Sequence, residues 1–206
     1  MRVVGGSDRG RRLRAPRGRR TRPTADRMRV ALFDILGPAV AGMRVLDLFA
    51  GTGAVGIEAL SRGATRAVFV ERDRDALRAL RANLATLRLG REQARVVAGD
   101  AVAVLPVLEA SEAPFDLIFL DPPYAGDIRV SSAARDREAK ARREPAADLA
   151  ARALAALARS RLLHPGTRVV VQHSGRTPLP VPAGLRAARE PRRFGDTALT
   201  FLEAER

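Results

Sequence analysis

The residues with the most specific chemistry are the four that directly follow an apolar run, Phe115–Leu120. Two consecutive prolines make a rigid turn without backbone N–H donors, so the Asp121 carboxylate and the Pro122 carbonyl remain as acceptors. Such a pair suits a planar exocyclic amine, a poor nucleophile whose hydrogens must be held while a bond forms at nitrogen. An aromatic ring next to the turn can stack on a base. We therefore take as catalytic candidates Asp121, Pro122, Pro123 and Tyr124.

A glycine-rich turn provides a second chemical signal. Gly51 and Gly53 follow an apolar strand and open a helix, the context of a loop that binds a nucleotide cofactor. Asp47, at the end of the same strand, would repel a pyrophosphate but would favour a cationic amino-acid or sulfonium group. The alternative is that the glycines serve helix packing only.

Two more carboxylates follow strand-like runs. Glu71 ends the run Ala67–Glu71 and lies 20 residues after Gly51, the spacing from which an acid reaches ribose hydroxyls. Asp100 follows the run Ala94–Ala98 and could accept a hydrogen bond from an adenine amino group. For both residues, the alternative is a plain strand-end or helix-capping role.

The surrounding pattern alternates strand and helix. Short apolar runs at 44–49, 67–71, 94–98, 115–120 and 167–172 are separated by helix-like segments at 54–62, 75–87 and 145–161. This order predicts an α/β fold with a doubly wound, mainly parallel sheet. Leu185–Phe194 and Thr197–Phe201 flank a Gly-Asp turn, which predicts a C-terminal antiparallel hairpin.

Positive charge is distributed unevenly along the chain. The net charge is +14, and residues 1–29 hold 11 arginines against two aspartates. Such a cluster is typical of a polyanion-binding protein, although a solvated basic tail is the alternative. We expect a basic N-terminal RNA-binding arm at 1–23, a catalytic domain at 24–206, and a flexible charged loop at 125–148. The candidate nucleic-acid-binding residues are Arg9, Arg11, Arg12, Arg22 and Arg27.

The composition also excludes several classes of protein. With no cysteine, the chain has no disulfide, thiolate nucleophile or Cys-ligated metal. Its longest apolar runs are strand-sized, and no apolar signal segment follows the arginine-rich N-terminus. We expect a cytoplasmic protein without a metal or a membrane span, in which the isolated His164 and His173 have no catalytic role.

These motifs resemble one known family. The sequence is similar to the RsmD type of Rossmann-like class I S-adenosylmethionine methyltransferases, which methylate the N2 amine of a guanine in 16S rRNA. The resemblance rests on short motifs spread over most of the chain: 3–6, 9–11, 22–27 with 32–33, 47–60, 121–124 and 194–197. Two departures are the long charged loop 125–148 and Phe194, where the family more often has tyrosine.

The resemblance implies a cofactor, a partner and site roles. S-adenosylmethionine would bind with its amino-acid part at Asp47, Phe49, Gly51 and Gly53, its ribose at Glu71 and its adenine at Asp100. The motif 121–124 would clamp the target base, and the basic arm would dock on phosphates of 16S rRNA or of a small-subunit assembly intermediate. We expect a monomer. An adenine-N6 methyltransferase acting on DNA or RNA, a nucleotide-binding oxidoreductase and a non-catalytic RNA-binding module are the alternatives.

Overall fold

The structure, a computed structural model, describes residues 1–16, 23–123 and 146–205. The helices in these ranges are α1 (Pro23–Leu36), a 3-10 turn (Gly37–Val40), α2 (Ala54–Ser61), α3 (Arg74–Thr86), α4 (Leu105–Ser111) and α5 (Ala146–Ala158). The strands are β1 (Arg44–Asp47), β2 (Arg66–Glu71), β3 (Ala94–Ala98), β4 (Leu117–Leu120), β5 (Arg168–Ser174), β6 (Leu185–Ala187), β7 (Arg192–Phe194) and β8 (Thr197–Ala204).

The strands form one mainly parallel sheet. Their order is β3-β2-β1-β4-β5-β8-β6, and β7 also pairs with β8. Strands β1 to β5 are parallel, whereas β8 is antiparallel to β5, β6 and β7. The prediction of a doubly wound α/β sheet with an antiparallel C-terminal part is therefore confirmed. The chain reverses its direction across the sheet between β1 and β4, and in such sheets ligands bind at the carboxyl ends of the strands beside this point.

Two apolar layers cover the sheet because successive strand residues face opposite sides. Phe69, Phe119 and Val170 pack on the side of α1, α2 and α3. Their neighbours Val68 and Ile118 pack on the other side, where α4 and α5 lie. The central strands β1, β2 and β4 are thus buried on both faces over most of their length, and so are residues 169–171 of β5, as the continuous apolar runs of the sequence predict.

The first sixteen residues, called here the N-terminal segment (1–16), pack on the sheet's α1–α3 side. Val3 and Leu13 are buried in the same core as α1 and α2. The segment folds back on itself through hydrogen bonds from Val3 N to Arg11 O (3.0 Å) and from Gly10 N to Val3 O (2.9 Å). This part of the predicted arm therefore forms a wall of the domain.

Three local predictions differ from the structure. The expected strand 185–194 is two short strands, β6 and β7, because residues 189–191 leave the pairing with β8 around Pro191, which has no N–H to donate. Helix α4 was not predicted, since its seven residues are too few for a clear helical period. The predicted loop 125–148 overlaps the predicted helix 145–161, and the structure assigns residues 146–148 to the helix, α5, because the run beginning at Ala146 is rich in helix-forming alanine. The rest of that loop lies outside the described residues.

Part of the arginine excess is structural. Arg44, Arg66 and Arg95, from the amino-terminal ends of β1, β2 and β3, all bind the carboxylate of Glu112 at 2.7 to 2.8 Å. Although burial of Glu112 acts to raise its pKa, the hydrogen bonds from these arginines lower it to about 2. This cluster lies at the amino-terminal edge of the sheet, so these arginines do not serve the opposite edge.

None of the helices in the described ranges is both long enough and apolar enough to cross a membrane.

Candidate functional site

A cavity of about 270 Å³ lies at the carboxyl-terminal edge of the sheet. Four of the predicted site residues line it: Asp47, Phe49, Gly51 and Asp121. They come from the ends of β1 and β4, which are neighbours in the sheet. The structure therefore brings the proline corner and the glycine-rich loop, 70 residues apart in the chain, to the walls of one cavity.

Asp47 is a buried carboxylate in this cavity. Its residue is 2% exposed, and its Oδ2 accepts a hydrogen bond from Gly56 N at 3.1 Å. The pKa of Asp47 is raised to about 7, mainly by burial and to a smaller extent by the nearby Glu71 charge, while the Gly56 hydrogen bond acts to lower it. A carboxylate in this environment gains most from a cationic partner, which favours its ionised form.

The pKa of Asp47 leads to a pH prediction. If a cationic ligand binds the ionised carboxylate, its affinity should rise roughly tenfold between about pH 6 and about pH 8. The contribution of Asp47 to the free energy of unfolding should move in the opposite direction, because the folded state binds this proton more tightly: it is full below about pH 4, the ordinary range of an aspartate, and is lost as pH rises through about 7. Calorimetric titration of S-adenosylmethionine and chemical denaturation across this range measure both effects. The Asp47→Asn variant should lose both pH dependences, and their persistence in it would show that another group titrates.

The glycine-rich loop is held by Glu71. Gly51 has a left-handed backbone, with φ of +55°, which favours glycine. Its N–H donates to Glu71 Oε2 at 2.7 Å, while Glu71 Oε1 accepts from Arg72 N (2.8 Å) and Asp73 N (2.7 Å). At Gly53, with φ of +81°, a Cβ would lie 2.3 Å from Leu80 Cδ1. Glu71 and Gly53 therefore shape the loop, although neither residue lines the cavity, and their cofactor-binding roles stay predictions.

Asp100 has a local structural role. Its Oδ1 accepts from Val102 N at 3.0 Å and from Ala103 N at 3.3 Å, and its Oδ2 lies 3.4 Å from Arg72 Nη1. It therefore holds the turn that leads towards α4, in line with the capping alternative. It does not line the cavity described above, and its role towards adenine stays a prediction.

The proline corner closes the cavity at the end of β4. Asp121 is half-buried, Pro122 is buried and Pro123 is half-buried. Phe119, two residues earlier on the same strand, lines the cavity together with Asp121. Tyr124 lies outside the described residues, so its stacking role stays a prediction.

The sequence did not reveal the opposite wall. The N-terminal segment contributes Met1, Ala15 and Pro16, and α1 contributes Met28, Arg29 and Leu32. No residue type in these stretches signals a site, because their position follows from packing alone. Gln172 and Leu199, from β5 and β8, also line the cavity. Gln172 could have been found, since it is a polar residue at the end of an apolar strand.

A buried glutamate anchors the N-terminal segment. Glu58 of α2 is 0% exposed, and its carboxylate accepts from Val4 N (2.8 Å) and Gly5 N (2.7 Å). Arg62 Nε donates to it at 2.9 Å, and Arg29 Nε lies 3.7 Å away. Arg29 also donates to Arg2 O at 2.7 Å, so this network ties the segment to α1 and α2 beside the cavity.

The predicted nucleic-acid-binding arginines are only partly described. Arg9, Arg11, Arg12 and Arg27 are exposed. Arg11 Nε lies 3.8 Å from Asp8 Oδ1, a solvent-exposed pair of little energetic weight. Arg22 lies outside the described residues. The exposed arginines lie on the N-terminal segment and on α1, which both contribute residues to the lining of the cavity.

The residues at this edge fit S-adenosylmethionine. A buried carboxylate with a raised pKa, Asp47, faces the cavity and suits the cationic end of such a ligand. A Cβ added at Gly51 would meet no atom within 4 Å, so the loop leaves room for close backbone approach. Within residues 1–16, 23–123 and 146–205, no three Asp, Glu or His side chains are grouped to hold a metal ion.

Comparison with known proteins identifies relatives over most of the chain. It is 48% identical over 124 residues to the "Putative rRNA methyltransferase YlbH" of Bacillus subtilis, covering 60% of this chain and 67% of that protein. It is 44% identical over 124 residues to the "Ribosomal RNA small subunit methyltransferase D" of Escherichia coli, covering 60% of each. The solved structure of the "Putative methyltransferase yhhF" from Escherichia coli superposes with a TM-score of 0.77 and 31% identity, covering 100% of this chain and 98% of that one.

The fold, the cavity and these similarities define the class: Rossmann-like methyltransferases that use S-adenosylmethionine. Within that class, the chain belongs to the family described as Conserved hypothetical protein 95, whose model matches residues 1–139. The curated relatives align with the chain over about 60 to 67% of their own length.

Proposed function

We propose that this protein transfers a methyl group from S-adenosylmethionine to the N2 amine of a guanine in 16S rRNA. The observation that carries this proposal is that Asp121, at the proline corner, lines the same cavity as Asp47 and the glycine-rich loop. A carboxylate that can accept hydrogen bonds from an amine and a site for a cationic cofactor therefore share one cavity. The similarity to rRNA small-subunit methyltransferase D supports rRNA as the substrate class.

The protein's part in the reaction is binding, orientation and charge stabilisation. Bound S-adenosylmethionine supplies an electrophilic methyl group on a sulfonium leaving group. The Asp121 carboxylate and the Pro122 carbonyl accept hydrogen bonds from the two hydrogens of N2, which aims the nitrogen lone pair and stabilises positive charge as the N–C bond forms. The N2 proton is lost after alkylation to Asp121 or to water. Asp47 holds the cationic end of the cofactor at the other side of the cavity.

The target base must reach this cavity out of its stack. A flipped or loop nucleotide meets this requirement, and a closed duplex does not. We propose that the exposed arginines Arg9, Arg11, Arg12 and Arg27, together with Arg22, bind the surrounding phosphates. We propose that Tyr124 stacks on the target base. We further propose a monomer that acts in the cytoplasm on 16S rRNA or on a small-subunit assembly intermediate, without a metal.

Nucleoside analysis tests this function. Purified protein is incubated with methyl-labelled S-adenosylmethionine and small ribosomal subunits from a strain that lacks the gene, and the rRNA is digested to nucleosides. We expect the label in N2-methylguanosine, at one mapped nucleotide. Label in N6-methyladenosine would instead support the adenine alternative, and an unlabelled rRNA under conditions where the cofactor binds would contradict the proposal.

Charge removal tests the proposed RNA surface. The triple variant Arg9→Ala, Arg11→Ala, Arg12→Ala should weaken RNA binding and lower the steepness of its salt dependence by about 2, or about 0.7 for each phosphate that is no longer neutralised. Filter binding at several salt concentrations measures the slope. Substitution is preferable to deletion of the N-terminal segment, because Val3 and Leu13 belong to the core.

A matched control removes the same charge elsewhere. Arg159, Arg161 and Arg168 are exposed residues near the amino-terminal end of β5, at the edge of the sheet opposite the cavity. Their triple alanine variant should keep the wild-type slope. Equal slopes in both triple variants would mean that the N-terminal arginines contribute only to the overall charge.

A further inference from the structure

Gln172 stands beside the proline corner. In the parallel pairing of β4 with β5, Leu120 is opposite Val171, so the residues that follow them, Asp121 just after β4 and Gln172 within β5, are neighbours. Both line the cavity. The polar residue Gln172 of β5 therefore lies next to the predicted amine-binding acceptors at the end of β4.

The strand pattern places Gln172 on the side of the sheet where the cavity lies. It lies two residues after Val170, so both face the α1–α3 side of the sheet, and its partner across the antiparallel pairing is Leu199, which also lines the cavity. His173, the next residue, accepts or donates a hydrogen bond at Thr200 Oγ1 (2.8 Å) and is therefore engaged elsewhere. Gln172 is the β5 side chain that faces the site.

The Gln172 amide is available for a ligand. It is half-buried, and among the residues that the structure describes no hydrogen bond engages its side chain. An amide offers one acceptor oxygen and two donor hydrogens, and a half-buried amide beside a cavity gains most from a partner that uses both.

Guanine presents the matching pattern beside its N2 amine. When N2 is held by the acceptors at Asp121 and Pro122, the next atoms along the same edge of the base are the N1–H donor and the O6 acceptor. An amide can accept from N1–H and donate to O6 at once. Adenine held by its N6 amine offers N1 as an acceptor and then only a C–H group, so it can satisfy one of the two contacts.

We propose that Gln172 determines base specificity by pairing with N1–H and O6 of the target guanine while Asp121 and Pro122 hold N2. This inference rests on the proposed function, because it assigns a further residue to the same cavity. Gln172 touches the base but takes no part in the methyl transfer itself. The proline corner binds an amine of either purine, and Gln172 selects the purine.

The test uses a base that keeps the N2 amine and lacks the two groups, N1–H and O6, with which Gln172 would form hydrogen bonds. Synthetic rRNA segments carry either guanine or 2-aminopurine at the nucleotide mapped for the wild type. 2-Aminopurine has the N2 amine but neither N1–H nor O6. We expect the wild type to prefer guanine by about tenfold to a hundredfold in kcat/KM, the usual discrimination of one bidentate contact.

The variant Gln172→Leu should lower kcat/KM for guanine by that factor and leave the value for 2-aminopurine unchanged, so the preference disappears. Gln172→Glu, of nearly the same size, should also lose the preference because its second oxygen repels O6. The control Gln93→Leu removes an exposed amide and should behave as wild type. The Kd of S-adenosylmethionine, measured for each protein, should stay unchanged.

The outcomes separate the two proposals. If Gln172→Leu or Gln172→Glu methylates guanine with the wild-type preference over 2-aminopurine, the specificity role of Gln172 is wrong and the proposed function stands. If kcat/KM falls equally for guanine and for 2-aminopurine in both variants, Gln172 supports the shape of the cavity and does not determine base specificity. If the wild type itself methylates neither RNA, the proposed function fails.

Discussion

Replacement of Asp121 by alanine is expected to lower methyl transfer at least ~10²-fold, the usual scale for one preorganised electrostatic group. The Kd of S-adenosylmethionine should stay nearly unchanged, because the carboxylate acts on the amine of the target base and Asp47 acts on the cofactor. Single-turnover kinetics with rRNA and calorimetry with the cofactor measure the two effects separately.

Two further variants sharpen this prediction. Asp121→Asn keeps an acceptor oxygen but not the charge, so its rate should lie between those of the wild type and the alanine variant. Asp34→Ala removes an exposed carboxylate of α1 and should behave as wild type. A wild-type rate in Asp121→Ala would show that the proline corner does not bind the reacting amine.

The substitution Glu58→Ala is expected to have the largest effect on stability. It leaves the buried Arg29 guanidinium without its carboxylate and the N–H groups of Val4 and Gly5 without their acceptors. Breaking one side of a buried ion pair costs about 3–5 kcal/mol. Because Met1 and Arg29 line the cavity, we also expect weaker binding of S-adenosylmethionine in the part of the population that remains folded.

Urea denaturation measures the loss of stability. Glu58→Gln keeps the size and one acceptor oxygen, so its loss should be smaller than that of the alanine variant. Glu92→Ala removes an exposed carboxylate and should change the free energy of unfolding by less than about 0.5 kcal/mol. A Glu58→Ala protein as stable as Glu92→Ala would mean that the N-terminal segment is held by its apolar residues and its other hydrogen bonds, and that Glu58 does not anchor it.

The sequence predicted the sheet well because burial on both faces leaves a strong signal. The runs that became β1 to β5 are apolar, bounded by turn residues and separated by helical segments, and their parallel arrangement follows from that alternation. Residues 185–194 were less predictable, because the break between β6 and β7 depends on which residues pair with β8. Helix α4, with only seven residues, was too short to be recognised from the sequence pattern.

The residues of the candidate site were predictable only where reactive or ligand-binding residue types lie at the ends of strands. Asp47, Gly51 and Asp121 could be identified because a carboxylate or glycine directly follows an apolar strand. The wall made by the N-terminal segment and α1 could not, since Met1 and Leu32 reach the cavity through folding of remote parts of the chain. Glu58 gave no signal either, because its partners are backbone amides more than fifty residues away.

A crystal structure with S-adenosylhomocysteine and guanosine tests the central claim most directly. We predict that the amino-acid part of the cofactor product lies at Asp47, and that guanosine N2 lies within about 2.6–3.2 Å of both an Asp121 carboxylate oxygen and the Pro122 carbonyl oxygen. The sulfur should lie on the opposite side of N2 from these acceptors. A complex in which the sulfur compound binds away from the cavity, or in which N2 contacts neither acceptor, would contradict the account.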